Sequence, residues 1–366
     1  MFEIIFAVLV VLYFSQIAIF LIGANKSFKK TKAESDLPKA SVIVAARNEE
    51  ENILDCVRSL DALEYPQDKL EIIIVDDFSE DKTNELVSEF IADKPKFKLI
   101  QPTEKLVERP GKANALANGI KISKGEIILT TDADCVVSPT WAKTHASYYA
   151  SEDVAFVGGF TTQTRGSLFE SMQALDFIFL LGVAGGTMNL GKSLSCIGNN
   201  MSFRRSVYYK VGGYESIPFS VTEDFALVTK IAKLEGYRNI YPLDKNTLVR
   251  SKACKTVKEI YWQKKRWGVG GLASEFTGYF IMGLGFLTNL ATLVSPFFFS
   301  SDVAILLFFK LLSDYLFLFS ISKKLGEKFN LVEFIAFEIY YLIYVVALTF
   351  VLFFASSKVK WKEREY

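Results

Sequence analysis

The stretch that most constrains the fold runs from Gly125 to Asp134. Four apolar or β-branched residues, Ile127 to Thr130, predict a buried strand, and Asp132 and Asp134 follow it closely. Two carboxylates therefore lie at the carboxyl end of a strand. In an open α/β sheet ligands bind at that edge, where carboxylate oxygens suit Mg²⁺ or Mn²⁺. Acids spaced in this way also occur in ordinary turns, so the neighbouring motifs must separate the two interpretations.

The same order of strand, acid and helix occurs earlier in the chain. Residues 40–46 predict a strand, and Asn48 is the predicted N-cap of the helix that follows. Residues 70–75 predict a second strand, which ends in Asp76 and Asp77 before another helical segment. This alternation predicts an α/β fold with a parallel, doubly wound sheet. Because no G-x-G-x-x-G follows the first strand, we expect side chains and metal to hold any nucleotide.

Composition narrows the classes of protein and of chemistry. The 366 residues are 50% hydrophobic with a mean hydropathy of +0.23, which indicates membrane segments beside a domain of about 230 residues. Lys and Arg total 42 against 41 Asp and Glu, so nucleic acid is not an expected partner. Four cysteines without a C-x-x-C pair favour a reducing compartment. His145 is the only histidine, so catalysis is expected to depend on carboxylates.

An apolar run near the N-terminus predicts a membrane helix. It extends over residues 2–22, and Lys26, Lys29 and Lys30 follow it. By the positive-inside rule these lysines place the next domain in the cytoplasm of a multi-pass protein of the cell membrane. A cleaved signal peptide fits less well, because no basic segment precedes the run and no cleavage site of small residues is evident.

The chain after Phe276 is almost continuously apolar and predicts three further spans, at about 276–299, 303–321 and 331–355. Three spans would put the basic tail outside the cell, which conflicts with its charge. Lys310 and Asp314 make the middle segment the suspect for an incomplete crossing, and as an i, i+4 pair they should bind each other or face protein. A shorter apolar segment, 166–188, is either buried core or an interfacial helix.

Four signatures occur in a fixed order along the chain. They are Val75-Asp76-Asp77, Asp132-Ala133-Asp134, Thr222-Glu223-Asp224 and Gln263-x-x-Arg266-Trp267. Together they resemble the inverting glycosyltransferases of family 2, in the membrane-bound branch with cellulose, chitin and hyaluronan synthases and ceramide glucosyltransferases. The resemblance covers roughly residues 41–271.

The resemblance implies an α/β domain of the GT-A type, with a mostly parallel sheet that binds a nucleotide sugar and with flanking transmembrane helices. It further implies a metal-dependent hexosyltransferase that uses Mg²⁺ or Mn²⁺. The predicted organisation is a transmembrane helix at 1–24, a linker at 25–38, a cytoplasmic GT-A domain at 39–271, a transmembrane region of about three helices at 272–357 and a basic tail at 358–366.

The resemblance also implies roles for individual side chains. Asp134 and Asp132 would hold the metal that bridges the donor phosphates, and Asp224, with Glu223 beside it, would be the base that deprotonates the acceptor. The implied donor-binding residues are Glu49, Asp77, Lys112, Asp132 and Arg266, and the implied acceptor-binding residues are Trp267, Gln263 and Asn199.

Each motif also has a structural interpretation. Asp76 and Asp77 could form a capping turn, Lys112 could be a solvated lysine at a helix start, and Thr222-Glu223-Asp224 could be an acid-rich first helical turn. Arg266 and Trp267 could anchor a membrane interface.

The expected function is transfer of one sugar from a nucleoside diphosphate sugar to a membrane acceptor, with a lipid slightly favoured over a glycan. Polysaccharide synthesis is the close alternative. An inactive membrane scaffold and a transporter are the alternatives from other classes.

Overall fold

The structure is a computed structural model that describes residues 1–31, 33–108, 111–354, 360–361 and 364–365. The α-helices are α1 Phe2–Ala24, α2 Ile53–Asp61, α3 Thr83–Ile91, α4 Lys112–Ile122, α5 Trp141–Ser147, α6 Leu168–Asn189, α7 Arg205–Lys210, α8 Glu223–Ile231, α9 Val257–Gly271, α10 Phe276–Val294, α11 Ser301–Leu325 and α12 Leu331–Phe354. The strands are β1 Ala40–Ala46, β2 Leu70–Asp76, β3 Phe97–Ile100, β4 Ile127–Asp132, β5 Cys135–Val137, β6 Val154–Gly158, β7 Thr161–Gln163, β8 Met201–Arg204, β9 Arg238–Ile240, β10 Val249–Ser251, β11 Lys360–Trp361 and β12 Arg364–Glu365.

A seven-stranded sheet forms the centre of the domain, in the order β3-β2-β1-β4-β8-β6-β9. The pairings among β1, β2, β3 and β4 are parallel, and so is that of β6 with β9, whereas β8 runs antiparallel to both of its neighbours. Strands β1 and β2 are buried along almost their whole length, because helices cover both faces of the sheet. The prediction of a mostly parallel sheet is confirmed.

The register of the sheet brings distant acids to one edge. Ala45 of β1 pairs with Asp132 of β4, and the next residue, Ala46, pairs with Asp76 of β2. Parallel strands end on the same side, so the acidic turns after β2 and β4 flank the end of β1. A small sheet of three strands has the order β5-β10-β7, and its strand β5 directly follows the turn after β4.

The first helix of the domain begins later than the sequence predicts. The structure has α2 beginning at Ile53, so the prediction that Asn48 caps this helix is wrong. Asn48 has a φ of 50°, its Oδ1 accepts a hydrogen bond from the Glu80 N–H at 2.9 Å, and its own N–H donates to Ser79 Oγ at 3.0 Å. Its side chain therefore binds the loop after β2 instead of the free amides of a helix.

Among the residues that the structure describes, five helices are long and apolar enough to cross a membrane. Four of them correspond to the segments that the sequence predicts as spans. The fifth is α6, which corresponds to the segment predicted to be either buried core or an interfacial helix. In α6, 67% of the most apolar window is buried inside the protein, against 22–33% in the other four. Both ends of α6 also adjoin the domain, since Leu168 closely follows β7 and the Asn189 side chain donates to the Tyr241 carbonyl oxygen at 2.9 Å. Helix α6 is therefore largely buried, between the domain at β7 and β9 and the apolar helices α1, α11 and α12.

Glycines let α1 and α6 touch backbone to backbone. A Cβ on Gly23 would lie 2.0 Å from the carbonyl oxygen of Gly186, and one on Gly186 would lie 2.5 Å from that of Phe20. No larger residue fits at either position without separating the helices. This contact attaches the N-terminal helix α1 to α6.

Helix α12 contacts the domain at both ends. Glu327, just before it, forms ion pairs with Arg250 at 2.5 Å and with Arg165 at 3.7 Å. Near its other end, Leu352 packs against Gly268 of α9. Residues 355–359, 362–363 and 366, which include much of the predicted basic tail, lie outside the described part of the chain, as do Lys32, Arg109 and Pro110.

A buried ionic cluster joins α1, α11 and α12. The Lys310 ammonium lies 2.9 Å from Asp314 and 2.6 Å from Glu338, and the Tyr13 hydroxyl donates to Asp314 at 2.7 Å. Lys310 and Asp314 are 1% and 0% exposed, so the prediction that they bind each other is confirmed. The third partner, on α12, could not be predicted from helix spacing.

Lys310→Met should destabilise the protein, because it leaves two buried carboxylates without their cation. Breaking a buried ion pair from one side typically costs about 3–5 kcal/mol. We expect the melting temperature of the detergent-solubilised protein to fall by roughly 5 °C or more. Lys324→Met, an exposed position on the same helix, is the control and should melt with the wild type. Equal melting of the two variants would show that the cluster does not hold the helices together.

Candidate active site

One cavity of about 860 Å³ lies at the carboxyl edge of the sheet, and residues of α6, α9 and α10 form part of its lining. All the residues that the sequence proposes for a site line this cavity. They are Glu49, Asp77, Lys112, Asp132, Asp134, Asn199, Glu223, Asp224, Gln263, Arg266 and Trp267.

Lys112 joins the two acidic motifs nearest to it. As the first residue of α4 it places its ammonium 2.6 Å from Asp132, at the end of β4, and 3.3 Å from Glu223, at the start of α8. Burial opposes its charge, but the attraction of these carboxylates outweighs burial and raises the pKa of Lys112. The interpretation of Lys112 as a solvated lysine is therefore wrong.

Asp76, the last residue of β2, and Asp77, the residue after it, have different surroundings. Asp76 accepts hydrogen bonds from the Ser79 N–H at 3.0 Å and from the Asn84 and Gln101 side chains at 2.9 and 3.0 Å, as expected for a structural turn. Asp77, one residue later, lines the cavity and is buried.

Glu49 lies beside this turn and is buried too. Its Oε2 accepts a hydrogen bond from the Asn52 side chain at 2.6 Å, and its backbone N–H donates to Thr83 Oγ1 at 2.7 Å. The structure therefore brings Glu49 and Asp77, which are far apart in sequence, to one wall.

Asp224 lies in the first turn of α8 and is partly buried, with the backbone of Gly198 close to its carboxylate. Its Oδ1 accepts a hydrogen bond from the Phe225 N–H at 2.8 Å. A Cβ on Gly198 would lie 3.1 Å from its Oδ2, so the backbone comes close to this carboxylate. Burial, followed by repulsion from Glu223, raises the pKa of Asp224 to about 6 against the pull of Lys112. A carboxylate in this range can accept a proton near neutral pH.

Helix α9 presents three of the predicted residues to the cavity. Arg266 donates from Nη1 to the Val221 carbonyl oxygen at 3.3 Å, just before the acidic turn of α8. The Trp267 ring packs edge-on against Phe177 of α6, with centroids 5.2 Å apart. Gln263 lies one turn away on the same helix.

The two asparagines of the Asn199-Asn200 pair have different surroundings. Asn199 lines the cavity, and its Oδ1 accepts a hydrogen bond from Thr161 Oγ1 at 2.8 Å. Asn200 is fully buried and donates to the carbonyl oxygens of Phe160 and Thr247 at 2.6 and 2.8 Å. His145, also fully buried, lies 3.0 Å from Asn200 Oδ1, and burial lowers its pKa to about 4. The histidine belongs to this structural network.

The cavity has a polar end at the sheet and an apolar end between α6 and α10. The apolar end was not predicted, because its residues come from segments assigned to core or membrane. Its lining includes Leu180, Leu181, Val183, Ala184, Ile281 and Met282. Arg47 was missed as well: it lines the polar end and donates to the carbonyl oxygens of Asp77 and Phe78 at 2.7 and 2.9 Å.

The donor set at the polar end fits a divalent cation that is shared with a phosphate ligand. Asp132 and Asp134 are the paired carboxylates, and the described residues contain no group of three or more His, Cys, Asp or Glu placed to hold a metal unaided. Mg²⁺ usually takes one or two carboxylates and completes its shell with phosphate oxygens and water. Carboxylates also outnumber cations in the described lining: Glu49, Asp77, Asp132, Asp134, Glu223, Asp224 and Glu259 face Arg47, Lys112, Lys252 and Arg266.

Comparison with solved structures shows the fold. The chain is similar to a mannosyltransferase from Pyrobaculum calidifontis, PcManGT, solved in complex with GDP-Man and Mn²⁺. The TM-score is 0.62 at 20% identity, over 89% of this chain and 99% of that one. The predicted fold class, a GT-A domain, is thereby confirmed.

Two curated proteins are similar to about two thirds of the chain. The chain is 29% identical over 246 residues to the probable glycosyltransferase YdaM of Bacillus subtilis, covering 64% of this chain and 56% of that protein. It is 28% identical over 255 residues to the poly-beta-1,6-N-acetyl-D-glucosamine synthase of Staphylococcus epidermidis, covering 68% and 58%. The chain thus spans somewhat more than half the length of these relatives.

Two family models match the chain, and the residues that they match overlap. The model of glycosyl transferase family 2 matches residues 41–212, and that of glycosyl transferase family group 2 matches residues 127–356. Since the second match covers more than half of the sequence, the chain belongs to glycosyltransferase family 2.

Proposed function

We propose that this protein is a membrane-bound, metal-dependent inverting glycosyltransferase that moves one sugar from a nucleoside diphosphate sugar to a lipid acceptor. The observation that carries the proposal is the form of the cavity. Its polar end holds paired carboxylates and cations at the sheet edge, and its apolar end is lined by side chains of α6 and α10. A polar donor and an acceptor with an apolar chain match these two ends.

The donor would bind at the polar end. Asp77 and Glu49 offer oxygens to the base and ribose hydroxyls, while Lys112 and Arg266 offer cations to the diphosphate. PcManGT, the structural neighbour, was solved with GDP-Man, which supports a nucleotide sugar as the ligand of such an edge.

Asp134 and Asp132 are the residues that would hold Mg²⁺ or Mn²⁺. When bound there, the ion would neutralise negative charge on the diphosphate as it leaves. The Lys112 ammonium lies 2.6 Å from Asp132, so it would stand beside both the metal and the diphosphate.

Asp224 is the proposed base. The acceptor hydroxyl oxygen forms a bond to the anomeric carbon from the side opposite the diphosphate, and its proton passes to the Asp224 carboxylate. The bond from the anomeric carbon to the diphosphate oxygen breaks, and its electron pair leaves with the nucleoside diphosphate. One displacement of this kind inverts the anomeric configuration and needs no covalent intermediate on the enzyme.

The acceptor would bind where the polar and apolar ends meet. Trp267 offers a flat ring, and Gln263 and Asn199 offer amides for its polar head. The apolar walls from α6 and α10 would surround the first part of its chain. In this proposal the apolar helices α1, α10 and α11 would lie in the membrane beside this end of the cavity, and the lysines after α1 support a cytoplasmic catalytic domain.

Polysaccharide synthesis is the second candidate, because one of the similar relatives is a poly-beta-1,6-N-acetyl-D-glucosamine synthase. An inactive scaffold is disfavoured by the convergence of Asp134, Asp224 and Arg266 in one cavity, since a scaffold does not need all three there.

The test is to incubate the purified, detergent-solubilised protein with UDP- and GDP-sugars, Mg²⁺ or Mn²⁺ and a total lipid extract. Nucleoside diphosphate release and product mass are followed together. We expect release with one donor and a lipid product one sugar heavier. A ladder of masses would instead identify a polymer synthase, and no turnover with any donor and either metal would favour the scaffold.

Asp134→Asn and Asp224→Asn should have different effects. Asp134→Asn should weaken metal-dependent donor binding, measured by titration with nucleoside diphosphate and Mn²⁺. Asp224→Asn should spare that binding and lower turnover by roughly 10²–10⁴-fold, the usual contribution of a general base. Asp36→Asn, an exposed acid outside the cavity, is the matched control. Full transfer activity in both site variants would refute the assignment.

The activity should fall as the pH falls through about 6, because Asp224 must be ionised to accept a proton. Glu223→Gln removes a like charge that raises this pKa, so the acidic limb of kcat should move to lower pH. Glu89→Gln, on an exposed helix face, should leave the limb in place. The profile is measured at saturating donor and acceptor; a limb that does not move in Glu223→Gln would exclude Asp224 as the titrating base.

A further inference from the structure

We propose that Asp176 and Lys264 are positioning residues, whose buried ion pair fixes α9 so that Trp267 stays in the wall of the acceptor site. The inference rests on the proposed function, because it takes Trp267 to contact the acceptor. Asp176 lies outside the four signatures, and Lys264 occupies an unspecified position of the fourth, Gln263-x-x-Arg266-Trp267. Asp176 lies in the middle of the apolar helix α6, and Lys264 lies on α9 three residues before Trp267.

The pair is almost completely removed from water. The Asp176 side chain is 1% exposed and that of Lys264 is 6% exposed, and the ammonium directly contacts Asp176 Oδ2. The other oxygen, Oδ1, accepts a hydrogen bond from the Tyr344 hydroxyl at 2.9 Å. One carboxylate therefore joins α6, α9 and α12.

The burial of this ion pair restricts the movement of α9 relative to α6. A buried charge without a partner is costly, so α9 cannot rotate or slide on α6 without separating the two charges. Lys264 and Trp267 are spaced i, i+3 and lie on neighbouring positions of one helix face. Fixing the lysine therefore limits how far the backbone at Trp267 can move relative to α6.

Direct contacts connect the ion pair to the indole ring. The Lys264 ammonium lies 4.3 Å from the centroid of the Trp267 ring, in the range of a cation–π interaction. Phe177, the residue after Asp176, packs edge-on against the same ring. Consecutive residues of α6 thus hold the lysine and the tryptophan.

The opposite side of α9 has its own attachment. Arg266 donates to the Val221 carbonyl oxygen, next to the acidic turn of α8. Loss of the pair on the α6 side leaves this attachment in place. The effect should therefore fall on the acceptor site at Trp267 and spare the donor site at Arg266 and Lys112.

The test uses the double variant Asp176→Asn/Lys264→Met, which removes both charges with little change in volume. A single change would leave one buried charge unpaired and could unfold the protein. We expect a melting temperature close to that of the wild type, unchanged binding of nucleoside diphosphate, and a rise of about tenfold in acceptor KM, since small misplacements of binding groups have effects of this order or larger. Amide hydrogen exchange in α9 should become faster.

The matched control is Glu71→Gln/Lys98→Met, which removes an ion pair of 2.7 Å at the far side of the sheet. It should leave acceptor KM and exchange in α9 unchanged. An unchanged acceptor KM in the Asp176→Asn/Lys264→Met protein would overturn the proposal, as would an equal loss of donor binding. If the wild type transfers no sugar, the proposed function fails, and exchange in α9 still decides whether the pair positions this helix.

Discussion

The repulsion among carboxylates gathered at one edge of the sheet is the constraint on which the rest of the site depends. The sheet register places acids on both sides of β1, and the first turn of α8 adds Glu223 and Asp224. Such a cluster is stable only if cations lie within it. Lys112 supplies one such charge, because its ammonium lies 2.6 Å from Asp132 and 3.3 Å from Glu223. A divalent cation and a diphosphate would bind among carboxylates and cations that the folded protein already holds in position.

The same lysine couples the two halves of the proposed reaction. Its charge lowers the pKa of Asp224, whereas burial and Glu223 raise it. A donor phosphate that draws Lys112 away would remove part of that restraint, so donor binding and proton acceptance share one electrostatic balance. Donor-site and base-site substitutions are accordingly expected to be non-additive wherever both change the surroundings of Lys112.

Helix α6 connects this chemistry to the apolar helices. It touches α1 through glycines at backbone distance and meets α9 and α12 at the Asp176–Lys264 contact. Its remaining apolar side chains form a wall of the cavity. Helix α6 therefore contacts both the apolar helices and the place where the acceptor is expected to bind.

The sequence by itself determined the alternating α/β architecture, the long apolar helices and the cavity residues near the ends of β1, β2 and β4, because these depend on local periodicity and on acids that directly follow strands. It also predicted that Lys310 and Asp314 would pair, since i, i+4 spacing is local. Tertiary structure alone decided that Asn48 binds a neighbouring loop, that Asn84 and Gln101 hold Asp76, and that Glu338 completes the buried ionic cluster. The apolar end of the cavity and the partnership of Asp176 with Lys264 also had no local signal. These contacts join segments that are remote in the chain, and their energies depend on burial and on distances that exist only after the helices have packed.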